Sequence, residues 1–276
     1  MNYAIFWDVE STSKNPLKDR IISIGAVLVV VDADHSYNSI SEFSTFVHTD
    51  QAIDPMAHRV HGISANDLVN APKLDVALAS FVSFVNTHVN DDRRSLIMIA
   101  HNGSRFDDLI LASNCASDNI DLRSVLKRAK VTGFADSLKL LRSLMKHKQK
   151  HCLPTSSTGR VSFALGNCYT KFCPDEPQFK AHDALEDTRA LYKIFRSLKI
   201  NPRLLRKHVL HVNKYMQILR DRAGLNTWDD TMYHEMAVAS PSPVNRVLVP
   251  YNAQYVFCPH CLVFCERTVQ VHKCTV

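Results

Sequence analysis

The most constraining feature of this chain is an apolar N-terminal segment that ends in two carboxylates. Residues Tyr3 to Glu10 have the composition of a strand, and side chains along a strand point alternately to opposite faces. Both faces are apolar up to Asp8, which predicts a central strand covered on both sides. Asp8 and Glu10 share one face at its end. Buried carboxylates repel each other and resist desolvation, and a divalent cation would remove both penalties; the alternative is a strand that runs into solvent at Asp8.

A second acidic group lies far downstream, at the start of a predicted helix. Asp183, with Glu186 three residues later, has the pattern of a helix N-cap, and the helix is predicted to run to about Leu198. Asp187 lies on the apolar stripe of this helix, where a charge needs a partner. His182 precedes the cap and is free to point across the helix N-terminus toward the same place.

Strands and helices alternate along most of the chain. Further strands are predicted over residues 19–31, 42–48, 95–100 and 131–135, and helices over residues 74–89, 107–111, 163–172 and 202–222. Gly25, inside the second strand, indicates a bulge or a close backbone approach. Asp136 opens another helix as its cap, and residues 53–64 are predicted to form a loop, followed by a short helix capped by Ser64 or Asn66. Three antiparallel strands followed by alternating elements predict an α/β fold, with a mixed five-stranded sheet flanked by helices.

The net charge of +6 is distributed unevenly along the 276 residues. From Lys199 onward there are ten Lys or Arg and five Asp or Glu, which suits a nucleic-acid partner. An ordinary solvated helix surface explains this charge equally well. No signal-peptide pattern is present at the N-terminus, and the longest apolar run, Ile21 to Val31, is too short to span a bilayer. We therefore expect an intracellular protein, cytoplasmic or nuclear, without a membrane partner. Its eight cysteines are expected to be reduced thiols or metal ligands.

Three acidic motifs occur in a specific order. They are Asp8-Val9-Glu10, His101-Asn102 followed by Phe106-Asp107, and His182-Asp183-Ala184-Leu185-Glu186-Asp187. Together they resemble the DEDDh family of 3′–5′ exonucleases, nearest the three-prime repair exonucleases and the epsilon-type proofreading exonucleases, over residues 1–198. The resemblance implies a ribonuclease-H-like fold. A capping box of Ser104 with Asp107 is an alternative explanation for the second motif.

The resemblance also implies a chemistry and a set of site residues. Two Mg²⁺ or Mn²⁺ ions would be held by four carboxylates, those of Asp8, Glu10, Asp107 and Asp187. His182 would be the general base, and His61, Ile63 and Asn102 would contact the terminal nucleotide, although His61 is equally well explained as a turn histidine. The expected activity is release of nucleoside monophosphates from DNA 3′ ends, in repair or proofreading. The alternatives are an exoribonuclease and an inactive nucleic-acid-binding scaffold.

The C-terminal tail carries a separate metal-binding pattern. Four N/S ligands with the spacing of a tetrahedral structural zinc site are supplied by Cys258, Cys261, His272 and Cys274. Cys265 is an alternative ligand, and a redox pair is an alternative reading of the Cys-x-x-Cys. Short strands are predicted around Val256 and Val269. The predicted organisation is an exonuclease domain at 1–200, a basic helix and linker at 201–245, and a zinc-binding module at 246–276 that docks nucleic acid or a protein partner.

Overall fold

The computed structural model describes residues 3–32, 34–89 and 96–224 and, farther along the chain, the backbone of two short strands. Six strands form the main sheet: β1 (Tyr3–Ser11), β2 (Ile21–Val31), β3 (Tyr37–Phe46), β4 (Leu96–Ala100), β5 (Val131–Asp136) and β6 (Val209–His211). Their order is β3-β2-β1-β4-β5-β6. The pairs β1–β4 and β4–β5 are parallel and the other pairs antiparallel, which confirms a mixed sheet. The predicted count of five strands is wrong, because β6 adds a sixth.

The first strand lies in the interior of the sheet, as its two apolar faces predict. Ile5 and Trp7 pack into the core on one side, while Ala4 and Phe6 pack into the core on the other. All four side chains are at most 2% exposed. Asp8 therefore follows a stretch that is buried on both faces, and it lies at the carboxyl end of the central strand.

Helices cover both faces of the sheet. They are α1 (Pro55–His61), α2 (Ala65–Leu68), α3 (Leu74–His88), α4 (Asp107–Ser117), α5 (Leu122–Arg128), α6 (Ser137–Met145), α7 (Leu165–Phe172), α8 (Ala184–Ser197), α9 (Pro202–Lys207) and α10 (Val212–Ala223). One layer contains α3, α4, α5 and α10, and the other contains α6, α8 and α9, with α7 packed on α6 and α8. Within the described part of the chain, no helix is long and apolar enough to cross a membrane.

The segment predicted as a loop at 53–64 contains a helix. The Asp54 side chain accepts hydrogen bonds from the backbone N–H groups of Met56 (2.7 Å) and Ala57 (3.3 Å), and Pro55 occupies the first helical position. Proline suits that position because its missing N–H would have no helical partner there. Gly62 ends α1 in the left-handed conformation, with φ of 77°. The Asp-Pro and Gly signals therefore delimit a short helix, and Ser64 caps α2 as predicted.

The single basic helix predicted for residues 202–222 is also wrong. Residues 209–211 form β6, which pairs antiparallel with β5, and they separate α9 from α10. The apolar residues of this region fit a helical period, but the exposed edge of β5 offers backbone hydrogen bonds that a sequence pattern cannot reveal. Helix α10 then buries Tyr215, Met216 and Leu219 against the core.

Candidate active site

Gly25 brings the start of α8 onto the sheet beside Asp8. Gly25 pairs with Asp8 in the β1–β2 ladder. A Cβ atom on Gly25 would lie within 3.0 Å of the backbone of Ala184 and Leu185, a distance that real Cβ atoms do not adopt. The close backbone approach predicted at this glycine is therefore confirmed. It places the N-terminus of α8 directly over the end of the central strand.

The first turn of α8 is held by its own acidic residues. The side chain of Asp183 accepts hydrogen bonds from the backbone N–H groups of Leu185 (3.1 Å) and Glu186 (3.2 Å), which confirms the predicted N-cap. Glu186 forms an ion pair with Arg189. Asp187 accepts a hydrogen bond at Oδ2 from the backbone N–H of His182 (3.0 Å), so the segment before the helix folds back over its first turn.

Three carboxylates from two distant parts of the chain meet at this place. Oxygen atoms of Asp8, Glu10 and Asp187 all lie within 4.8 Å of one another. Asp187 is only 9% exposed, and Asp8 and Glu10 are half-buried. Because carboxylate oxygens are the ligands that hard divalent cations prefer, this donor set fits Mg²⁺ or Mn²⁺.

Asp107 lies alongside this cluster at the first residue of α4. It is 3% exposed, and its Oδ1 accepts a hydrogen bond from the backbone N–H of Val9 (3.3 Å). The capping box considered for Ser104 and Asp107 is not formed. Instead, the hydroxyl of Ser104 donates to Asp136 (2.6 Å), and α4 begins without a side-chain cap. Asp136 caps α6, as predicted.

Burial and mutual repulsion disfavour the charged forms of these acids. Burial raises the pKa of Asp8 well above its usual range, and the neighbouring carboxylates, Asp107 first among them, raise it further. Burial likewise raises the pKa of Glu10 to about 8 and that of Asp187 to about 7. Burial and the adjacent Asp108 raise the pKa of Asp107. Four carboxyl groups that resist ionisation in one place would be stabilised as anions by bound cations.

Two histidines lie at the edge of the carboxylate cluster. His182 is exposed and has a left-handed backbone conformation, with φ of 65°. His61 is 6% exposed, and burial lowers its pKa, with His58 and His182 among the neighbouring groups that lower it further. The Nδ1 of His61 accepts a hydrogen bond from the backbone N–H of Ile63 (3.0 Å), as a turn histidine would. A hydrogen bond between the His61 ring and the backbone of Ser11 acts against burial and raises the pKa of His61.

The other two residues predicted to contact a nucleotide differ in exposure. Ile63 is 9% exposed and packs against Ile22 and Leu68, so its side chain belongs largely to a small core. Asn102 is half-buried with φ of 66°, and its backbone N–H donates to Asp136 (3.2 Å). The Asn102 side chain therefore extends from a constrained turn that follows β4.

Sequence reasoning missed a buried pair that supports Asp107. Asp108 is 2% exposed, and its Oδ2 accepts a hydrogen bond from the hydroxyl of Tyr215 in α10 (2.6 Å). Burial raises the pKa of Asp108 to about 7. An acid in the first turn of a helix is ordinary, and Tyr215 lies 107 residues away, so no local signal connects them.

The zinc-ligand pattern of the C-terminal tail lies outside the described part of the chain. Cys258, Cys261, His272 and Cys274 all lie outside the described residues, as does the strand predicted around Val269. The strand predicted around Val256 is present as β7 (Tyr255–Phe257), and it pairs antiparallel with β8 (Phe264–Glu266).

Comparisons with known proteins agree with this fold. A model of the RNase T exonuclease family matches residues 5–195. The DNA polymerase III epsilon subunit of Buchnera aphidicola subsp. Baizongia pistaciae is 28% identical over 196 residues, which cover 69% of this chain and 68% of that protein. The chloroplastic/mitochondrial exonuclease DPD1 of Arabidopsis thaliana is 29% identical over 202 residues, which cover 71% of this chain and 56% of that protein.

A solved structure of E. coli exonuclease I in complex with a dA16 oligonucleotide has a similar fold. Its TM-score is 0.56 at 19% sequence identity, and the match covers 75% of this chain. The chain spans only 43% of the length of exonuclease I. The family model nevertheless matches most of this chain and includes all three acidic motifs. The chain therefore belongs to the DEDDh-type 3′–5′ exonuclease family.

Proposed function

We propose that this protein is a divalent-metal-dependent 3′–5′ exonuclease that hydrolyses the terminal phosphodiester of DNA and releases nucleoside monophosphates. The observation that carries the proposal is the approach of the Asp8, Glu10 and Asp187 carboxylates to within 4.8 Å of one another. DNA is favoured over RNA because the relatives include polymerase III epsilon subunits and a neighbour solved with a DNA oligonucleotide.

The four carboxylates are the proposed ligands of two Mg²⁺ or Mn²⁺ ions. The carboxylate of Asp8 lies beside those of Asp107, Asp187 and Glu10, and the four together would hold the ions. When bound, such a pair supplies electrostatic stabilisation of the attacking and leaving oxygens of the phosphodiester. The raised pKa values support this assignment, because the acids would ionise together only beside positive charge.

His182 is the proposed general base. Its ring is exposed beside the cluster, where water has access, while its backbone N–H is fixed to Asp187. The imidazole would take a proton from the attacking water and return it to solvent. A base of this kind contributes about 10²–10⁴-fold to the rate.

The 3′-terminal nucleotide would lie between the carboxylates and α1. His61 is buried beside the backbone of Ser11, at the end of β1, and the His182 imidazole lies nearby. We assign His61 and Asn102 to hydrogen bonding with the terminal nucleotide and Ile63 to a supporting apolar contact.

The test uses the full-length protein on oligonucleotides labelled at the 5′ end, so that shortening from the 3′ end appears as a ladder. DNA and RNA, single- and double-stranded, are compared in Mg²⁺ and in EDTA, with Asp187→Asn as the control. Mg²⁺-dependent shortening of DNA is the expected result. Preferential shortening of RNA would identify an exoribonuclease, and binding without shortening of any substrate would identify a scaffold.

For the C-terminal tail we propose a separate structural zinc site. The four ligands would be Cys258, Cys261, His272 and Cys274, with Cys265 as a possible replacement. The matching measurement is the zinc content of the purified full-length protein. One zinc per chain is expected, and Cys258→Ser/Cys261→Ser should lose it without loss of the exonuclease's Mg²⁺ dependence.

A further inference from the structure

The described part of the chain contains a long segment, on the far side of the sheet from α3 and α5, in which every charged side chain is basic. Residues Ser137–Pro174, here called the basic segment, contain seven Lys or Arg and no Asp or Glu. The other 238 residues contain 26 basic and 27 acidic side chains, and among them residues 188–220 carry a further nine Lys or Arg and no Asp or Glu. The basic segment comprises α6, α7 and the residues between them.

The cations of the basic segment are exposed and largely without acidic partners. Five of them make no ion pair or side-chain hydrogen bond with any described residue: Arg142, Lys146, Lys148, Lys150 and Arg160. Some cations outside the segment are paired: Arg20, Arg189 and Lys193 each form an ion pair with a carboxylate. A surface of unpaired cations with no acid among them has the charge that a phosphate backbone requires.

The basic segment is attached to the candidate active site where it begins. Asp136, which caps α6, accepts hydrogen bonds from the backbone N–H of Asn102 (3.2 Å) and the hydroxyl of Ser104 (2.6 Å). Both residues belong to the turn between β4 and α4 that precedes Asp107. The guanidinium of Arg142 lies close enough to lower the pKa of His101, after the larger effect of burial.

The segment returns to the same site at its other end. The ring of His101 donates from Nε2 to the carbonyl oxygen of Phe163 (2.8 Å), and its Nδ1 contacts the hydroxyl of Ser137 (2.9 Å). Helix α7 then packs on α6 and α8 through a shared apolar cluster that includes Leu141, Cys168 and Ile194. The same α8 carries Asp187, so the basic segment is anchored to two elements that carry acids of the site, α8 and the turn before α4.

We propose that the basic segment binds the phosphate backbone of the nucleic-acid strand whose 3′ end enters the carboxylate cluster. This inference rests on the proposed exonuclease function and locates the strand-binding surface. The contact is to phosphate and is therefore independent of base sequence.

The test measures binding of a fluorescent single-stranded DNA of 20 nucleotides to the full-length protein carrying Asp187→Asn, which removes cleavage. In this background, Lys146→Gln/Lys148→Gln/Lys150→Gln is compared with Lys73→Gln/Arg123→Gln/Lys127→Gln. The second variant removes the same charge from exposed positions at the N-cap of α3 and on α5, in the opposite helical layer. Dissociation constants are measured over a range of KCl concentrations.

The basic-segment variant should bind more weakly, and the magnitude of the slope of log Kd against log salt should fall by about 2, since each phosphate contact on a single strand contributes about 0.7. The control variant should keep the slope of the parent. An unchanged slope in the first variant, or an equal change in both, would overturn the proposal.

A second measurement separates this proposal from the proposed function. With Asp187 restored, both triple variants are tested on thymidine 5′-p-nitrophenyl phosphate, which is too short to reach the basic segment. Equal turnover by both variants and the wild type is expected. A wild-type protein that cleaves no substrate would refute the exonuclease function, whereas the salt dependence of binding would still report on the basic segment.

Discussion

The Asp187 carboxylate and the His182 imidazole have separable tasks in the proposed site. Asp187 belongs to the carboxylate cluster, while His182 reaches the cluster by its backbone N–H and leaves its ring in solvent. A backbone hydrogen bond survives replacement of the side chain. Metal binding and proton transfer can therefore be removed one at a time.

We predict that His182→Ala lowers kcat by about 10²–10⁴-fold but still gains thermal stability from Mg²⁺, because all four acids remain. Asp187→Ala should lose both activity and most of that stabilisation. The measurements are single-turnover hydrolysis and melting temperature with and without Mg²⁺. A normal rate for His182→Ala would remove it from the proton-transfer role, and full activity of Asp187→Ala would contradict the metal assignment.

The carboxyl groups also give the metal-free protein a defined pH dependence. In the folded state Glu10 has a pKa of about 8 and Asp187 of about 7, whereas unfolded Glu and Asp have values of about 4. Between these values the folded state binds more protons than the unfolded state. The free energy of unfolding therefore falls as the pH rises through this window.

We predict that, in EDTA, the melting temperature of the wild type falls between pH 6 and pH 8.5. Glu10→Gln/Asp187→Asn should show a smaller fall, because two of the groups that retain protons are gone. Saturating Mg²⁺ should reduce the fall in the wild type, since the ionised acids then have a partner. Identical pH profiles for the wild type and the double variant, both in EDTA, would show that folding does not raise the pKa values of these two acids.

At the scale of elements, the site depends on how closely α8 approaches β2. Gly25 has no side chain, and this absence lets the backbone of Ala184 and Leu185 lie against the strand opposite Asp8. The sequence signalled a close approach here, but it did not identify the partner. The approaching helix begins about 160 residues later, at a distance along the chain that no local pattern spans.

We predict that Gly25→Ala destabilises the protein by about 1–3 kcal/mol, the usual cost of forcing a methyl group into a packed site. It should also reduce activity, because α8 must shift and carry Asp187 away from Asp8. Gly166→Ala is the matched control. A Cβ there meets nothing within 4 Å, and alanine favours the helix, so stability should stay equal or rise. Chemical denaturation and hydrolysis rates measure both effects, and a fully active Gly25→Ala would contradict the packing argument.

The elements that sequence patterns could predict are those with a strong local signature. The apolar strand before Asp8, the cap at Asp183 and the stripe that contains Asp187 are all local, and the structure has each of them. The helix at Pro55–His61 was missed because its signals also fit a turn. The strand at Val209–His211 was missed because it depends on the free edge of β5, which exists only in the folded sheet.

At the scale of the whole molecule, the exonuclease fold includes residues beyond the end of the sequence resemblance. The resemblance ends near residue 198, but β6 completes the sheet at residues 209–211 and α10 buries Tyr215, Met216 and Leu219 in the main core. Tyr215 also donates a hydrogen bond to Asp108, which follows Asp107 directly. Helix α10 thus stabilises the part of the chain that supplies one of the four acids.

We predict that a shortened chain ending at residue 224 unfolds cooperatively and retains Mg²⁺-dependent hydrolysis, whereas one ending at residue 200 does neither. The shorter chain loses four buried side chains, Leu205, Tyr215, Met216 and Leu219, each contributing about 1.5–3 kcal/mol, and leaves Asp108 buried without its hydroxyl partner. The measurements are denaturant unfolding and hydrolysis of labelled DNA by both chains. Tyr215→Phe in the longer chain separates the loss of apolar burial from the loss of the hydrogen bond to Asp108. This variant keeps the apolar ring and removes only the hydroxyl group. A stable, active chain of 200 residues would show that β6 and α10 are dispensable additions to the fold.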